Sequence, residues 1–351
     1  MNHHAVVLAL ISAALFGIST PAAKLLLGVI DPTVLAGLLY CGAGIGIALL
    51  RRLVPPNLIG GGGDEAPLRP ADVPWLAGAI ASGGVLGPIL LMAGLARTEA
   101  ATASLLLTLE GVATALLAWF VFREHFDRRI AIGMAFLVSG AIVLSWSGEP
   151  SISNFMGPLL IVGACIAWGI DNNLTRKVSL ADPLQIVEIK GLVAGPVSLV
   201  LGLSIGGNLP ALNATIFAGI VGFIGYGISL ALFVRALRHL GTARTGAYFS
   251  TAPFLGAVAA VIFLSEPLTI QLAAAGTLMA VGVWLHITEE HNHEHVHDPI
   301  EHEHQHVHDE HHQHAHSASD PTGEPHTHRH RHDRLQHKHP HTPDMHHTHG
   351  H

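Results

Sequence analysis

Long apolar runs separated by short polar connections fill the chain from residue 5 to residue 288. A helix needs about 20 apolar residues to cross the hydrocarbon core of a bilayer. We predict ten membrane spans on this criterion, at 5–29, 33–53, 73–96, 100–122, 129–147, 157–176, 184–204, 211–234, 244–264 and 268–288. After the last span the apolar pattern ends.

The sequence also repeats itself. The run 103–126 returns in weaker form at 245–268. At an offset of 142 residues, the matched positions are Glu124 with Glu266, Ala118 with Ala260 and Gly111 with Pro253. Nearer the start of each half the offset is 151–152 residues, and it matches Phe16-Gly17 with Trp168-Gly169, Lys24 with Arg176 and Pro32 with Pro183. Each half holds five predicted spans, an odd number, so the second half enters the bilayer from the opposite side. We therefore predict an all-α membrane protein of two inverted five-helix repeats, 1–148 and 149–288, an arrangement common in secondary transporters.

Composition and charge agree with a membrane protein. Only 12% of the residues are charged, whereas soluble proteins carry about 25%. If the N-terminus is cytoplasmic, the even-numbered connections hold eleven Lys and Arg residues and the odd-numbered ones two, Lys24 and Arg97. Basic residues favour the cytoplasmic side, so we expect both termini in the cytoplasm and a plasma (inner) membrane location. Cys41 and Cys165 lie in apolar runs without CxxC spacing, which indicates packing residues.

Short motifs in both halves resemble those of one transporter family. They are Trp168 with Asn173 and Arg176-Lys177, Leu264-Ser265-Glu266-Pro267-Leu268, and Phe122-Arg123-Glu124-His125-Phe126. With the paired five-span halves, they make residues 5–288 similar to the EamA family of the drug/metabolite transporter superfamily. The resemblance implies ten helices around a central cavity, alternating access and usually export of small metabolites. Phe16 and Tyr40-Cys41 depart from it, because the family often has Trp at the first position and Arg near the second.

One carboxylate, Glu110, lies about eleven residues from either end of its predicted span. A charge inside a bilayer is costly and usually faces a cavity or a partner. Glu110 is therefore a candidate for proton or cation coupling, or for the counter-ion of a substrate amine. The alternative is a structural glutamate, protonated or hydrogen-bonded between helices. The second repeat has Ala252 here, so such a site would be asymmetric.

Two lysines are candidate cationic partners for substrate or for Glu110. Lys24 lies close enough to its span end to extend its ammonium to the interface. Lys190 lies deeper, two residues from Glu188. Residues two apart do not share a helix face, so Lys190 and Glu188 cannot neutralise each other along one stripe. We favour Lys190 as the one that faces the cavity.

Trp168 and the polar run that follows it form a further candidate group. Asp171, Asn172 and Asn173 either end the helix near an interface or line the cavity. Trp168 is a candidate cavity wall or an interfacial anchor.

Two repeated features allow a structural or a functional interpretation. Glu124 and Glu266 are expected to be structural helix termini or gate contacts. The run Gly83–Pro88 matches Gly222, Gly225 and Gly227. Small residues permit close helix packing, while broken helices that line a cavity are the alternative.

Residues 289–351 form a histidine-rich tail that should be disordered, because it lacks apolar residues for a core. It holds 23 of the 28 histidines from His291 onward. Imidazole binds Zn, Ni and Co, so the tail is a candidate metal buffer or sensor. The candidate ligands are His302, His304, His306, His308, His311, His312, His314 and His316. The alternative is a tail whose charge responds to pH near neutrality.

The leading functional hypothesis is a secondary carrier that exports a small organic solute, amino-acid-like or an amphipathic cation, with Glu110 central. The alternatives are a carrier of transition-metal cations (Zn, Ni or Co) and a metal-sensing membrane protein, both using the tail. An enzyme is not expected, because HExxH, GxSxG and P-loop patterns do not occur. No cofactor is required. The expected partners are a small-molecule substrate, lipid and divalent metal ions, and a homodimer is a candidate assembly. Nucleic acid is not an expected partner, because the tail is acidic.

Overall fold

The computed structural model describes residues 3–54, 67–121, 128–146, 152–178, 181–288, 291–297, 300–306, 326–332 and 335–341. In the first half the helices are α1 His3–Leu26, α2 Pro32–Leu53, α3 Val73–Ala79, α4 Gly87–Leu95, α5 Ala100–Leu106, α6 Leu109–Phe120 and α7 Arg128–Ser145. A 3₁₀ turn, Pro70–Asp72, precedes α3, and a π-helical turn, Ile80–Leu86, joins α3 to α4.

The second half follows the same plan. Its helices are α8 Ile152–Arg176, α9 Pro183–Ser204, α10 Leu212–Gly222, α11 Ser229–Phe249, α12 Ala252–Phe263 and α13 Ile270–Ile287, with a π-helical turn, Phe223–Ile228, between α10 and α11. Within the described residues, eight stretches are long and apolar enough to cross a membrane, and two apolar helices are shorter, Ala252–Phe263 and Ile270–His286. The predicted helical membrane fold is confirmed.

Four spans are interrupted, at corresponding places in the two halves. The π-helical turns Ile80–Leu86 and Phe223–Ile228 lie about 142 residues apart, as the sequence repeat requires. Likewise, one span turns at Leu107–Thr108, between α5 and α6, and another at Ser250–Thr251, between α11 and α12. Such interruptions free backbone groups from the helical ladder, and in membrane proteins they occur where side chains or a cavity can satisfy those groups.

The chain reverses direction within α11. Phe233 and Phe249 are sixteen residues apart, which in a straight helix is about 24 Å. Their ring centroids are only 4.9 Å apart. Helix α11 therefore contains the turn that connects the predicted spans 211–234 and 244–264.

The two halves interlock through close helix crossings. Helix α2 packs along α9, α1 along α11 and α12, and α7 along α13. At the α2–α9 crossing a Cβ on Gly44 would lie 2.5 Å from the backbone nitrogen of Leu192, so only glycine permits this approach. Small residues at the crossing let the backbones touch, which makes this pair of helices a rigid frame for the site described below.

The described part of the tail consists of strands β1 His291–His297, β2 Ile300–His306, β3 His326–His332 and β4 Leu335–His341. They pair as two antiparallel ladders, β1 with β4 and β2 with β3. The remaining residues of the tail, for which disorder was predicted, lie outside the described residues. In the four strands histidines alternate with other residues, and an alternation of period two is compatible with an extended strand.

Candidate functional site

An ion pair joins α8 to α9 in the helical core. Lys190 Nζ donates to Asp171 Oδ1 at 2.6 Å and to Oδ2 at 2.8 Å, and to Thr175 Oγ1 at 3.2 Å. The two charged side chains are only 12% and 9% exposed. Thr175 also donates to Asp171, at 2.7 Å. The pair is therefore buried, and hydrogen bonds fix its geometry.

Glu110 lies beside this pair, in the first turn of α6 after the break at Leu107–Thr108. Its side chain is half-buried, and Asn172 Nδ2 donates to its Oε1 at 2.8 Å. Asn172 also donates to Thr114 Oγ1 at 3.2 Å. Among the described residues no cationic side chain is within ion-pair distance of Glu110, and the one side chain that binds its carboxylate directly is the neutral amide of Asn172.

Both helices that carry this contact are exposed on two opposite faces. On α8, Ile170 is 38% exposed, and Asn172, which is also exposed, lies 200° further round the helix. On α6, exposed Phe120 and exposed Gly111 lie 180° apart, and a Cβ on Gly111 would meet nothing within 4 Å. One face of each helix is apolar and suits lipid. The other is open to space at Gly111 and Asn172, with Glu110 half-buried beside them, and we call this opening the central crevice.

The π-helical turn of the third span connects the ion pair to two aromatic side chains. Trp168 Nε1 and Tyr40 Oη both donate to Gly83 O, each at 2.9 Å. A π-helical turn leaves backbone groups without their usual helical partners, and here two side chains satisfy one such carbonyl. A Cβ at Gly83 would overlap the Asp171 carboxylate. Glycine at this position therefore allows both the carbonyl contacts and the approach of Asp171.

The corresponding region of the second half is aromatic instead of charged. A Cβ on Gly225, the counterpart of Gly83 at an offset of 142, would lie 2.5 Å from Ser19 Cβ. Ser19 thus packs against Gly225 in the same way as Asp171 packs against Gly83. The rings around it belong to Phe16, Tyr40, Tyr226 and Phe249, with centroid separations of 5.7 Å for Phe16–Tyr226, 5.6 Å for Tyr40–Tyr226 and 5.4 Å for Phe16–Phe249. We call these four rings the aromatic wall.

Tyr40 links the aromatic wall to the charged groups. Its ring contacts Tyr226, and its hydroxyl group donates to Gly83 O, at the position that lies against the Asp171 carboxylate. The site therefore combines a charged side with an aromatic side.

Two of the residues singled out in the sequence lie away from this cluster. Glu188 accepts a hydrogen bond from Arg51 Nη1 at 2.7 Å, while Arg51 Nη2 binds Asp182 at 2.8 Å. We call the end of the helical bundle with this triad the basic end. Lys24 lies at the opposite end, the far end, where it donates to Leu95 O at 2.6 Å and Thr98 O at 2.7 Å. Both side chains join helix ends and do not border the central crevice.

The polar run after Trp168 lies within α8, which ends only at Arg176. Its three members point to different partners: Asp171 to Lys190, Asn172 to Glu110, and Asn173 to Gly169 O at 2.8 Å and Thr114 O at 3.2 Å. The helix therefore does not end at this run, and the first two residues belong to the cluster.

At the far end Glu266 connects the two halves. Its Oε1 and Oε2 accept hydrogen bonds from Ala100 N and Ala101 N, each at 2.7 Å, at the N-terminus of α5. The carboxylate occupies the place of an N-terminal cap, where the helix dipole favours negative charge. Ser265 before it has φ = 56°, in the left-handed region that is uncommon for a residue with a side chain. Glu124, its counterpart in the repeat, lies outside the described residues.

Sequence reasoning missed Tyr40, Thr114, Thr175 and the Gly83 carbonyl as members of the cluster. Thr175 lies four residues after Asp171, a spacing that places both on one helix face and could have indicated it. Thr114 likewise lies four residues after Glu110 and donates to the Glu110 carbonyl oxygen at 2.8 Å, whereas Tyr40 and the Gly83 carbonyl join the cluster only through tertiary contacts.

The described residues contain no group of three or more His, Cys, Asp or Glu side chains placed to hold a metal ion. Of the predicted tail ligands, His302, His304 and His306 belong to β2. The other five, His308, His311, His312, His314 and His316, lie outside the described residues. Metal binding by the tail stays a prediction at this point.

A model of the EamA-like transporter family matches residues 3–146 and again residues 155–288. The chain belongs to the EamA-like transporter family. The resemblance of the motifs is thereby confirmed. Membership makes this EamA-like chain a multi-pass membrane protein that handles a small-molecule substrate in a lipid bilayer.

Individual relatives agree with this assignment. An uncharacterized transporter of Methanothermobacter thermautotrophicus is 31% identical over 282 residues, which are 77% of this chain and 82% of the relative. A Salmonella typhimurium protein named a probable amino-acid metabolite efflux pump is 28% identical over 209 residues, 54% of this chain and 67% of that protein. A solved crystal structure shares the EamA-like fold, with a TM-score of 0.57 at 18% identity, covering 80% of this chain and 95% of the other.

Proposed function

We propose that this EamA-like protein exports a small organic solute by alternating access, and that Glu110 is the group through which substrate and coupling ion act. The solute is amino-acid-like or an amphipathic cation. The proposed setting is the plasma membrane, with both termini cytoplasmic, because the predicted loops on that side hold eleven basic residues against two.

The observation that carries the proposal is the environment of Glu110. Other carboxylates of the described core have partners that hold them in place: Asp171 is bound by Lys190, and Glu188 by Arg51. Glu110 borders the central crevice, and among the described residues the one side chain that binds its carboxylate directly is the amide of Asn172. A carboxylate in this position can accept an ammonium group or a proton without breaking an existing ion pair. That makes it suited to exchange one cation for another during transport.

The aromatic wall supports a substrate with an apolar body. Aromatic faces bind apolar groups, and they also attract organic cations through the ring quadrupole. Tyr40 belongs to the wall and also donates to Gly83 O, at the position that lies against Asp171, which supports a solute that contacts both the aromatic and the charged side. The Salmonella relative is named a probable amino-acid metabolite efflux pump, and its name favours an amino-acid-derived solute among those this site suits.

A metabolite and metal accumulation experiment tests the proposal. Cells with and without the protein are loaded with labelled amino acids, amphipathic amines and zinc, nickel or cobalt salts, and retention is measured. We expect faster loss of at least one organic solute in cells that contain the wild type. The Glu110→Gln variant should lack this effect and the Glu188→Gln variant should keep it, because Glu188 is committed to Arg51. Loss of metal ions alone would instead favour the metal-carrier alternative.

A further inference from the structure

The two ladders of the tail place histidine opposite histidine. In the β2–β3 ladder the register pairs His302 with His330, His304 with His328 and His306 with His326. In the β1–β4 ladder it pairs His291 with His341, His293 with His339 and His295 with His337. Of the alternate positions, three pairs carry unlike charges, Glu301 with Arg331, Glu303 with Arg329 and Glu294 with Lys338, while Asn292–Pro340, Val296–Gln336 and Gln305–Thr327 are uncharged.

This register sorts the residue types by face. Residues two apart on a strand share a face, so the paired histidine positions of β2 and β3 form one face and the Glu–Arg pairs the other. Like charges directly opposite each other destabilise a ladder, and unlike charges favour it. The histidine face is therefore compatible with this ladder when the imidazoles are neutral, or when they bind a metal ion instead of protons.

Two successive histidine pairs have dimensions that suit one metal ion. Opposed Cα atoms in an antiparallel ladder are about 4.5–5.5 Å apart, and residues two apart on one strand about 6.8 Å. The centre of such a rectangle is about 4 Å from each of its four Cα atoms. A histidine side chain with a metal–nitrogen bond of about 2 Å spans that distance.

We infer that His302, His304, His328 and His330 form a four-imidazole site for a divalent transition-metal ion of the zinc, nickel or cobalt class. Imidazole is a favoured ligand of these ions, and four ligands complete the tetrahedral coordination of structural zinc. The described residues hold no three ligands already gathered around a point. We therefore expect binding to draw the imidazoles together from register positions that are already opposed, and to stabilise the β2–β3 ladder. The inference does not depend on the transported solute.

The charge of the surrounding tail favours a cation. From His291 to the end, the chain carries ten Asp and Glu residues and four Lys and Arg residues. The ligands must be neutral imidazoles, so metal and protons compete for them. Since histidine titrates near neutral pH, we expect the affinity to fall at least tenfold between pH 7.5 and about pH 5.5.

Calorimetric titration of the purified full-length protein with zinc chloride tests the site. One variant replaces His302, His304, His328 and His330 by asparagine. The matched control replaces four histidines outside the ladders, His346, His347, His349 and His351. We expect the ladder variant to lose one tight site per chain and the control to keep it.

Hydrogen exchange gives a second readout, because zinc should slow the exchange of the β2 and β3 amides in the wild type and the control only. Equal loss of affinity in both variants would show that binding follows histidine number, not register, and would overturn the inference. An unchanged number of tight sites in the ladder variant would overturn it as well. Neither result would bear on the export function, which is measured separately.

Discussion

Lys190 and Asp171 form a buried ion pair at 2.6 Å across two consecutive helices, and no cationic side chain of the described residues is left to pair with Glu110. From the sequence, Glu110 was a candidate partner for Lys190, whereas Glu188, two residues away on the same helix, was excluded because the two do not share a helix face. The fold assigns Glu188 to Arg51 at the basic end and places the neutral amide of Asn172 against Glu110. The central crevice thus has one carboxylate whose charge is open to exchange.

Breaking the pair from one side should destabilise the protein more than removing it entirely. Replacing one member of a buried ion pair leaves an uncompensated charge and costs on the order of 3–5 kcal/mol, whereas replacing both by apolar residues can be close to neutral. We expect Lys190→Met to lower the melting temperature in detergent strongly and Lys190→Met with Asp171→Leu to recover most of the loss. A double variant as unstable as the single one would show that the pair has no such role.

Gly83→Ala should disrupt the site, because its Cβ would overlap the Asp171 carboxylate. The matched control is Gly219→Ala, near the corresponding turn of the second half, where a Cβ would meet nothing within 4 Å. We expect the first variant to be purified with reduced thermal stability and reduced transport, and the control to match the wild type. Equal behaviour of the two would contradict the tight contact between Gly83 and Asp171.

Much of the fold follows from the sequence, because span length and loop charge are local properties. The predicted spans correspond to described helices, and the offset of 142 that aligned Glu124 with Glu266 also aligns the interruptions of the third and eighth spans. The break at Leu107–Thr108 was not predicted, since no Gly or Pro marks it.

The site was only partly predictable for a similar reason. Glu110 and Lys190 stood out because a charge within an apolar run is conspicuous in any sequence. Their partners depend on how helices approach one another: Asn172 meets Glu110 across 62 positions and Tyr40 meets Gly83 across 43. Residues so far apart in the sequence share no local pattern that would predict their contact, so these two contacts could be identified only from the structure.

The Gly83 carbonyl should show coupling between its two donors. A carbonyl oxygen accepts up to two hydrogen bonds, and here Trp168 and Tyr40 supply both. We expect Trp168→Phe and Tyr40→Phe each to cost about 1 kcal/mol, and the double variant to cost more than the sum, because it leaves this carbonyl with neither donor. A double-mutant cycle on thermal stability measures the coupling. Strict additivity would mean that the two donors act independently.

Glu266→Gln should loosen the far end of α5. The neutral amide keeps one acceptor oxygen for the two backbone donors, Ala100 N and Ala101 N, and loses the charge that the helix N-terminus favours. We expect faster hydrogen exchange at these two amides. The control is Glu99→Gln, an exposed side chain without a capping hydrogen bond. Unchanged exchange in Glu266→Gln would show that the carboxylate does not hold this helix end.

Counterflow of a solute identified in the accumulation experiment, measured in proteoliposomes with and without a pH gradient, tests the role of Glu110 most directly. We predict that the wild type transports faster when the gradient drives protons against the solute. Glu110→Gln should lose that acceleration together with most of its flux, while Glu188→Gln should retain both. Flux in Glu110→Gln that equals the wild type and still responds to the gradient would contradict the account.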